Sequence, residues 1–467
     1  MTGTAGGRRR GERAGATRTC DGALALRRGN RVGTCHGRAP QRASRSAGEP
    51  GGPIIPQFDD TQTVRRVFYL PGFDQRDPET YWGLFRRESR LTAQRRDMTI
   101  LVGDAVRATD GISLDWTVDT TADGARTRTH YALLRWEDIV RDRFPRANAR
   151  RMVDGARLGW RLWRGGYFRA FAREARQFST VIVGVHILYL VLVALSLALA
   201  ALAVAATPLP TASPVLAGLG AAVLAYPILG VLTRVTKGRP FYIAHLVDDT
   251  AFTHDHGSGA EPAMRARLEA WAARIHAAEA AGGEIVVIGH SSSSFLAIEA
   301  LDRILARDPA FGTRGTPVSL VTLGGVISWI TLDPLAEDVR AAIGRFANAR
   351  SIAWLDLRAN WDWLSIHLRS PLAALGLPAI GRDRPVTKWL QIEDLVEPGQ
   401  IFGAGYNLFR MHFQLLMSSR ARDTFDYIDF VAGPVPVFEA IEEIRAGKAG
   451  ARTSPVAVSS ARDSLSR

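Results

Sequence analysis

From Gln177 to Thr233 the chain carries no Asp, Glu, Lys or Arg. No other feature constrains the fold as strongly, because an uncharged run of that length cannot form the surface of a soluble domain. It divides in two. VIVGVHILYLVLVALSLALAALAVAA (181–206) is long enough to cross about 30 Å of hydrocarbon as a helix. TPLPTAS (207–213) then breaks the pattern with two prolines. PVLAGLGAAVLAYPILGVLTRV (214–235) provides a second span, with a kink expected at Pro227. The expectation is a transmembrane helical hairpin over residues 179–238.

The flanks orient it. Residues 141–176 hold eleven arginines against Asp142, Asp154 and Glu174, and Arg234, Lys237 and Arg239 follow the second span. The connecting loop is uncharged. Positive charge favours the cytoplasmic side, so both large flanks are expected there. Trp160, Trp163, Tyr167 and Phe171 recur at near-helical spacing among arginines, which reads as an interfacial helix lying on anionic headgroups. His186, inside the first span, reads as a neutral imidazole bonded to a neighbouring helix.

Of the net charge of +13, much lies in residues 1–50, where eleven arginines face Glu12, Asp21 and Glu49. Residues 1–55 are therefore expected to be a disordered basic tail, and 446–467 a polar one. Only Lys237, Lys388 and Lys448 are lysines, an arginine bias characteristic of a GC-rich bacterial genome. Cys20 and Cys35 both fall in the tail, so the folded part has no disulfide, thiolate metal site or cysteine nucleophile. Walker, G-x-G-x-x-G and H-E-x-x-H patterns are absent, which leaves nucleotide and zinc chemistry without support. THDHGSG (253–259), beside Asp248 and Asp249, has metal-ligand residue types but reads as a polar loop before a helix. No cofactor, metal or nucleic acid is expected.

Two soluble parts remain, 56–178 and 239–445. In the first, VFYL (67–70) reads as a strand, PGFD as a turn and PETYWGLFRRESRL as a helix. GISLDWTVDTT and RTRTHYALLRWEDI read as paired strands around ADGA. In the second, strands at 284–289, 317–323 and 351–357 alternate with helices at 262–281, 294–307 and 334–347. This alternation predicts an α/β fold: a mainly parallel sheet with helices on both faces, interrupted by the hairpin.

EIVVIGHSSSSFLAIEAL (284–301) is a β-branched strand that turns at Gly-His-Ser into a helix. Such a turn needs small residues two places either side of its apex, and it exposes the apex at the carboxyl edge of the sheet. Gly289, Ser291 and Ser293 fill those places, with Ser293 where a second glycine would stand. Ser291 is the nucleophile candidate. Serine needs a base, and the base needs an orienting acid. His367 and His412 are the histidines downstream of the 351–357 strand. His367 lies in the same short segment as Asp362, whereas His412 stands apart and is the better base. For the acid, Asp356 falls inside the strand and Asp362 in the loop beyond it, so Asp362 is preferred. The backbone N–H of Ser292, and that of Phe73 in YLPGF, would complete an oxyanion hole.

The strand–GHSSS–helix elbow (Gly289, His290, Ser291, Ser293), the LPGF turn, Asp362 and His412 together resemble an α/β-hydrolase of the serine esterase/lipase type. The resemblance extends to bacterial membrane-associated members with an interrupting transmembrane pair. It implies Ser291 as nucleophile, Asp362 as acid, His412 as base, and Phe73 with Ser292 as oxyanion donors. It implies a serine hydrolase held in the bacterial inner membrane by two spans, its catalytic part cytoplasmic, partnered by the lipid bilayer and acting on an ester or thioester. An acyltransferase would use the same acyl-enzyme. A membrane scaffold that kept the fold without turnover is the alternative from another class.

Overall fold

The computed structural model describes residues 62–447 except 144–145, 165, 167, 208–212, 237–241, 367–369, 376–383 and 397–406. The expected tails, Tyr167, Lys237 and His367 thus fall outside the described residues, apart from residues 446 and 447 at the start of the second tail.

The strands are β1 (Gln62–Leu70), β2 (Thr99–Val102), β3 (Val106–Arg107), β4 (Ser113–Ala122), β5 (Ala125–Leu134), β6 (Glu284–His290), β7 (Val318–Leu323), β8 (Ile352–Ala359) and β9 (Val386–Leu390). They form one mixed, mostly parallel sheet in the order β2-β4-β5-β1-β6-β7-β8-β9, with β3 paired to β4. β1 lies at the centre, parallel to both β5 and β6. β6, β7 and β8 continue the parallel run. Every residue of these three strands is buried, as expected where both faces of a parallel sheet are covered. β4 is antiparallel to β5 and β2, and its alternating burial marks one face left open near the edge. Asp123 and Gly124, both at positive φ, close the β4–β5 hairpin where ADGA was read as the turn.

Two apolar cores flank the sheet because successive strand residues point to opposite faces. Phe68, Leu70, Ile285 and Val287 face one core, which also holds Met264, Leu268, Trp271 and Phe295. Val67, Tyr69, Val286 and Ile288 face the other, with Tyr81, Phe85, Phe430 and Ile441. A buried ion pair locks the two central strands: Arg65 Nε donates to Glu284 Oε2 at 2.8 Å, and the same guanidinium reaches the carbonyls of Gly433 and Val435.

Helix α1 (Glu79–Arg96) follows β1. The connection from β5 to β6 carries α2 (Glu137–Arg143), α3 (Asn148–Arg164), α4 (Phe168–Glu174), α5 (Arg176–Ala205), α6 (Pro214–Thr236), α7 (Ile243–Gly257) and α8 (Pro262–Ala277). α5 and α6 are the two helices among the described residues that are long and apolar enough to cross a membrane, with mean hydropathies of 2.8 and 2.2. Only 17% and 11% of their most apolar windows are buried within the protein, unlike soluble core helices. α6 runs unbroken through Pro227. The base of α5 packs on α7 through Val185, Tyr189, Leu246 and Val247.

Three sequence expectations change here. The stripe from Trp160 to Phe171 is split: Trp160 and Trp163 are exposed with rings 5.1 Å apart, but Phe171 is fully buried against Phe178 and Trp329. α3 also docks on α7 by a buried pair, Arg151 Nη2 to Asp248 Oδ2 at 2.7 Å, so only part of its surface is open. His186 bonds within its own helix, Nδ1 to the Ile182 carbonyl at 2.7 Å, because that carbonyl lies one turn below the ring. Residues 253–257 are the last turn of α7, not a loop. His254 pairs with Asp333 at 2.9 Å and His256 with Glu299 at 2.6 Å, so both imidazoles serve helix packing.

Candidate active site

β6 ends at His290, and α9 (Ser293–Arg307) begins three residues on. Ser291 occupies the turn at φ +58°, the left-handed region a non-glycine residue enters at a cost of order 1–3 kcal/mol. Gly289 lets α9 cross close over β6: a Cβ there would lie 2.6 Å from the Ser293 carbonyl and 2.9 Å from Ala297 Cβ.

The serines divide their work. Ser292 Oγ accepts the Phe73 N–H at 3.0 Å. Ser293 Oγ donates to the Pro71 carbonyl, and Ser294 Oγ accepts the Val326 N–H at 3.1 Å. All three are buried and tie the elbow to the loops after β1 and β7. Ser293 therefore has a bonding role that glycine could not fill. Ser291 Oγ has no hydrogen bond among the described residues, and Ser291 is only half-buried at a cavity wall.

Asp362 follows β8, and its two carboxylate oxygens have separate tasks. Oδ1 accepts the Leu364 N–H at 3.1 Å, and Oδ2 lies 2.7 Å from His412 Nδ1. A carboxylate only accepts, so Nδ1 carries the proton and Nε2 presents its lone pair. His412 Nε2 is buried without a partner among the described residues, so no hydrogen bond joins it to Ser291 in this state. His412 sits in the short helix Leu408–Phe413, capped by Asn407, whose side chain accepts the Arg410 N–H at 3.1 Å. Gly324, just beyond β7 at φ +52°, makes room for the pair: a Cβ there would lie 2.9 Å from Asp362 Oδ2 and 3.0 Å from His412 Cε1. The alternative acid, Asp356, is engaged elsewhere, accepting from Thr322 Oγ1 and from Arg358 Nε, each at 2.7 Å.

The loop after β1 passes directly over the serine. A Cβ on Gly72 would fall 2.8 Å from Ser291 Cβ, so only glycine allows the approach. The segments that follow β1, β6, β7 and β8 thus converge at the carboxyl edge of adjacent parallel strands, where open α/β sheets bind ligands.

His290 is placed by tertiary structure in a way its sequence position does not announce. Its ring stacks on His412 with centroids 4.6 Å apart, and its Nδ1 lies 3.1 Å from the Tyr69 hydroxyl. Burial, and next the neighbouring His412, push its pKa well below the usual histidine value. A neutral ring therefore lies against His412. Arg76 braces the same helix, its guanidinium 4.4 Å from the Phe413 ring centre.

A cavity of about 690 Å³ opens above these residues. Ser291, His290 and His412 line it together with Phe178 and Ile182, from the base of α5. α7 contributes His245, which burial pushes down to about 4, and Asp249, which burial raises to about 7. Sequence reasoning noted Asp249 only for its metal-ligand residue type and passed over His245, because only the packing shows which face of α7 meets the cavity. The chain matches no family model, no curated protein and no solved structure.

Proposed function

We propose that the chain is a membrane-anchored serine hydrolase of the α/β-hydrolase type, cleaving an ester or thioester through an acyl-enzyme on Ser291. One observation carries this reading. Of four consecutive serines, Ser291 alone is held in a left-handed turn with no hydrogen bond to its Oγ among the described residues, on the cavity that His412 also lines. Backbone strain of this kind clusters where a reactive group must be presented.

In this mechanism Ser291 Oγ attacks the substrate carbonyl while His412 Nε2 accepts its proton. Asp362 fixes the tautomer and stabilises the imidazolium that forms. The developing oxyanion takes the Ser292 N–H, at the start of α9, and the Phe73 N–H. The Phe73 donor is held at rest by Ser292 Oγ, so it becomes available when that hydroxyl turns aside. His412 then returns the proton to the leaving group, and water releases the acyl chain. An alcohol or amine acceptor would make the same intermediate an acyltransferase.

The substrate is lipid-like or acyl, a reading supported by Phe178 and Ile182, which join the cavity wall to the apolar helix α5. Two spans in a bacterial inner membrane, with the catalytic part cytoplasmic, agree with the arginine-rich flanks. A second reading, a scaffold without turnover, draws on the occupied Phe73 N–H and the missing Ser291–His412 bond. Hydrolysis of p-nitrophenyl acyl esters by protein in lipid vesicles decides between them. Multiple turnovers, abolished in Ser291→Ala, support the enzyme. No turnover by folded wild type supports the scaffold.

A further inference from the structure

α7 presents one face to the cavity, with His245, Asp249 and Thr253 at intervals of four residues. Two of these have no counterpart in the chemistry above. Asp249 Oδ1 is buried without a hydrogen-bond partner, and no ion pair or hydrogen bond engages that carboxyl among the described residues. Thr253 is 2% exposed, and its Oγ1 likewise has no partner among the described residues. On the helix α10 (Ile327–Leu332), Trp329 is 2% exposed and its Nε1 has no acceptor among the described residues. α10 packs on α7 where the His254 and Trp329 rings lie 5.5 Å apart. Asp249, Thr253 and Trp329 all line the cavity that holds Ser291.

Leaving buried polar groups unpaired is costly, and structures rarely retain three in one cavity without a use for them. Phe178, Ile182, Leu246 and Val326 line the same cavity, so the three polar residues stand in a wall otherwise suited to an aliphatic chain. Their inventory is selective. An indole N–H only donates, so a ligand must offer it an acceptor, which excludes an ammonium group. A carboxyl oxygen and a threonine hydroxyl can accept, so the ligand group does best when it also donates. A hydroxyl does both. Burial raises Asp249 to about 7, which keeps the carboxyl largely uncharged in mildly acidic solution and removes any demand for a cationic partner.

We propose that Asp249, Thr253 and Trp329 form a recognition site for a hydroxyl group on the acyl chain, making the protein selective for hydroxylated over plain aliphatic esters. The proposal rests on the hydrolase reading and specifies its substrate class. A site built to bond a hydroxyl discriminates against the analogue that lacks it, because the buried groups are then left unpaired.

The test compares p-nitrophenyl octanoate with its positional hydroxy isomers, using full-length protein in phosphatidylcholine vesicles. For the best isomer, kcat/KM is expected to exceed that of the plain ester by about 10-fold or more. In Asp249→Leu, Thr253→Val and Trp329→Phe this ratio should fall toward one, whatever the absolute rate. In Asp249→Asn, which still accepts and donates, part of the ratio should survive. Equal turnover of all isomers by wild type, or a ratio unaltered in Asp249→Leu and Thr253→Val, overturns the proposal and assigns these groups to water. A readout without turnover separates it from the hydrolase reading. In Ser291→Ala protein, hydroxyoctanoic acid should raise the melting temperature more than octanoic acid does. Equal shifts overturn the recognition site even where ester hydrolysis by wild type upholds the enzyme. A larger shift with hydroxyoctanoic acid, in a wild type that hydrolyses nothing, keeps the site and removes the enzyme.

Discussion

Gly72→Ala isolates the close approach on which the candidate site depends. The added Cβ would sit 2.8 Å from Ser291 Cβ and 3.3 Å from Ser291 Oγ. Carbon atoms rest about 3.5–4.0 Å apart, so roughly 1 Å must open between the loop and the elbow. Neither contact atom is the free end of a long side chain. Ser291 Cβ is fixed by a strained turn, and the loop is tied to the elbow by the Phe73–Ser292 and Pro71–Ser293 bonds. A displacement of about 1 Å at a reacting atom costs on the order of 100-fold in rate, or about 2.7 kcal/mol of activation free energy. The overpacking itself should cost about 1–3 kcal/mol of stability. The assay is the second-order rate of inactivation by a fluorophosphonate, read beside the melting temperature. Gly344→Ala is the control. Its Cβ meets nothing within 4 Å in the helix Glu337–Asn348, so it should leave the rate alone and add up to about 1 kcal/mol of stability. A Gly72→Ala protein that melts normally and reacts within about twofold of wild type would show that the loop does not press on the serine.

Three further outcomes follow from the same structure. Asp362→Asn should leave the protein folded but lower the acylation rate by about 10⁴-fold, because an amide can donate to Nδ1 and favour the wrong tautomer; burst kinetics with an activated ester would measure it. Glu284→Ala should strand the fully buried Arg65 guanidinium between β1 and β6 and cost roughly 3–5 kcal/mol, visible as a lower urea midpoint. Asp249 rises from 3.8 to about 7 on folding, so the native state binds its proton more tightly than the unfolded chain does. Its neutral form is therefore tolerated at low pH, and stability is lost as pH climbs from about 4 to about 7. The upper bound on that loss is about 4 kcal/mol. Asp249→Asn should remove the slope, so its melting-temperature advantage over wild type should be larger at pH 8 than at pH 5.

The α/β architecture could be read from the sequence because its signals are local. EIVVIGH and VSLVTL are β-branched runs of strand length, and the uncharged stretch from Gln177 to Thr233 emerges as α5 and α6. β9 escaped notice because VTKWL is short and half polar, and its place is set by pairing with β8. THDHGSG was misread for a related reason. Its histidines look like loop or ligand residues until Asp333 and Glu299 arrive from distant segments to pair with them. The Phe171 error was geometric, since near-helical spacing cannot say which turn of a broken helix meets Trp329. In the site, Ser291 and the loop acid Asp362 could be chosen by position along the chain. The structural duties of Ser292, Ser293 and Ser294, the stacking of His290 on His412 and the cavity face of α7 arise from tertiary contacts, which a single sequence does not encode locally.

The most direct measurement is the site of fluorophosphonate attachment. Full-length protein in lipid vesicles would be treated with the probe, digested, and the adduct located by mass spectrometry. A serine hydrolase built on this elbow predicts a single adduct on Ser291, absent from Ser291→Ala and slowed in His412→Ala. An adduct on any other serine, or none on wild-type protein that melts cooperatively, would contradict it.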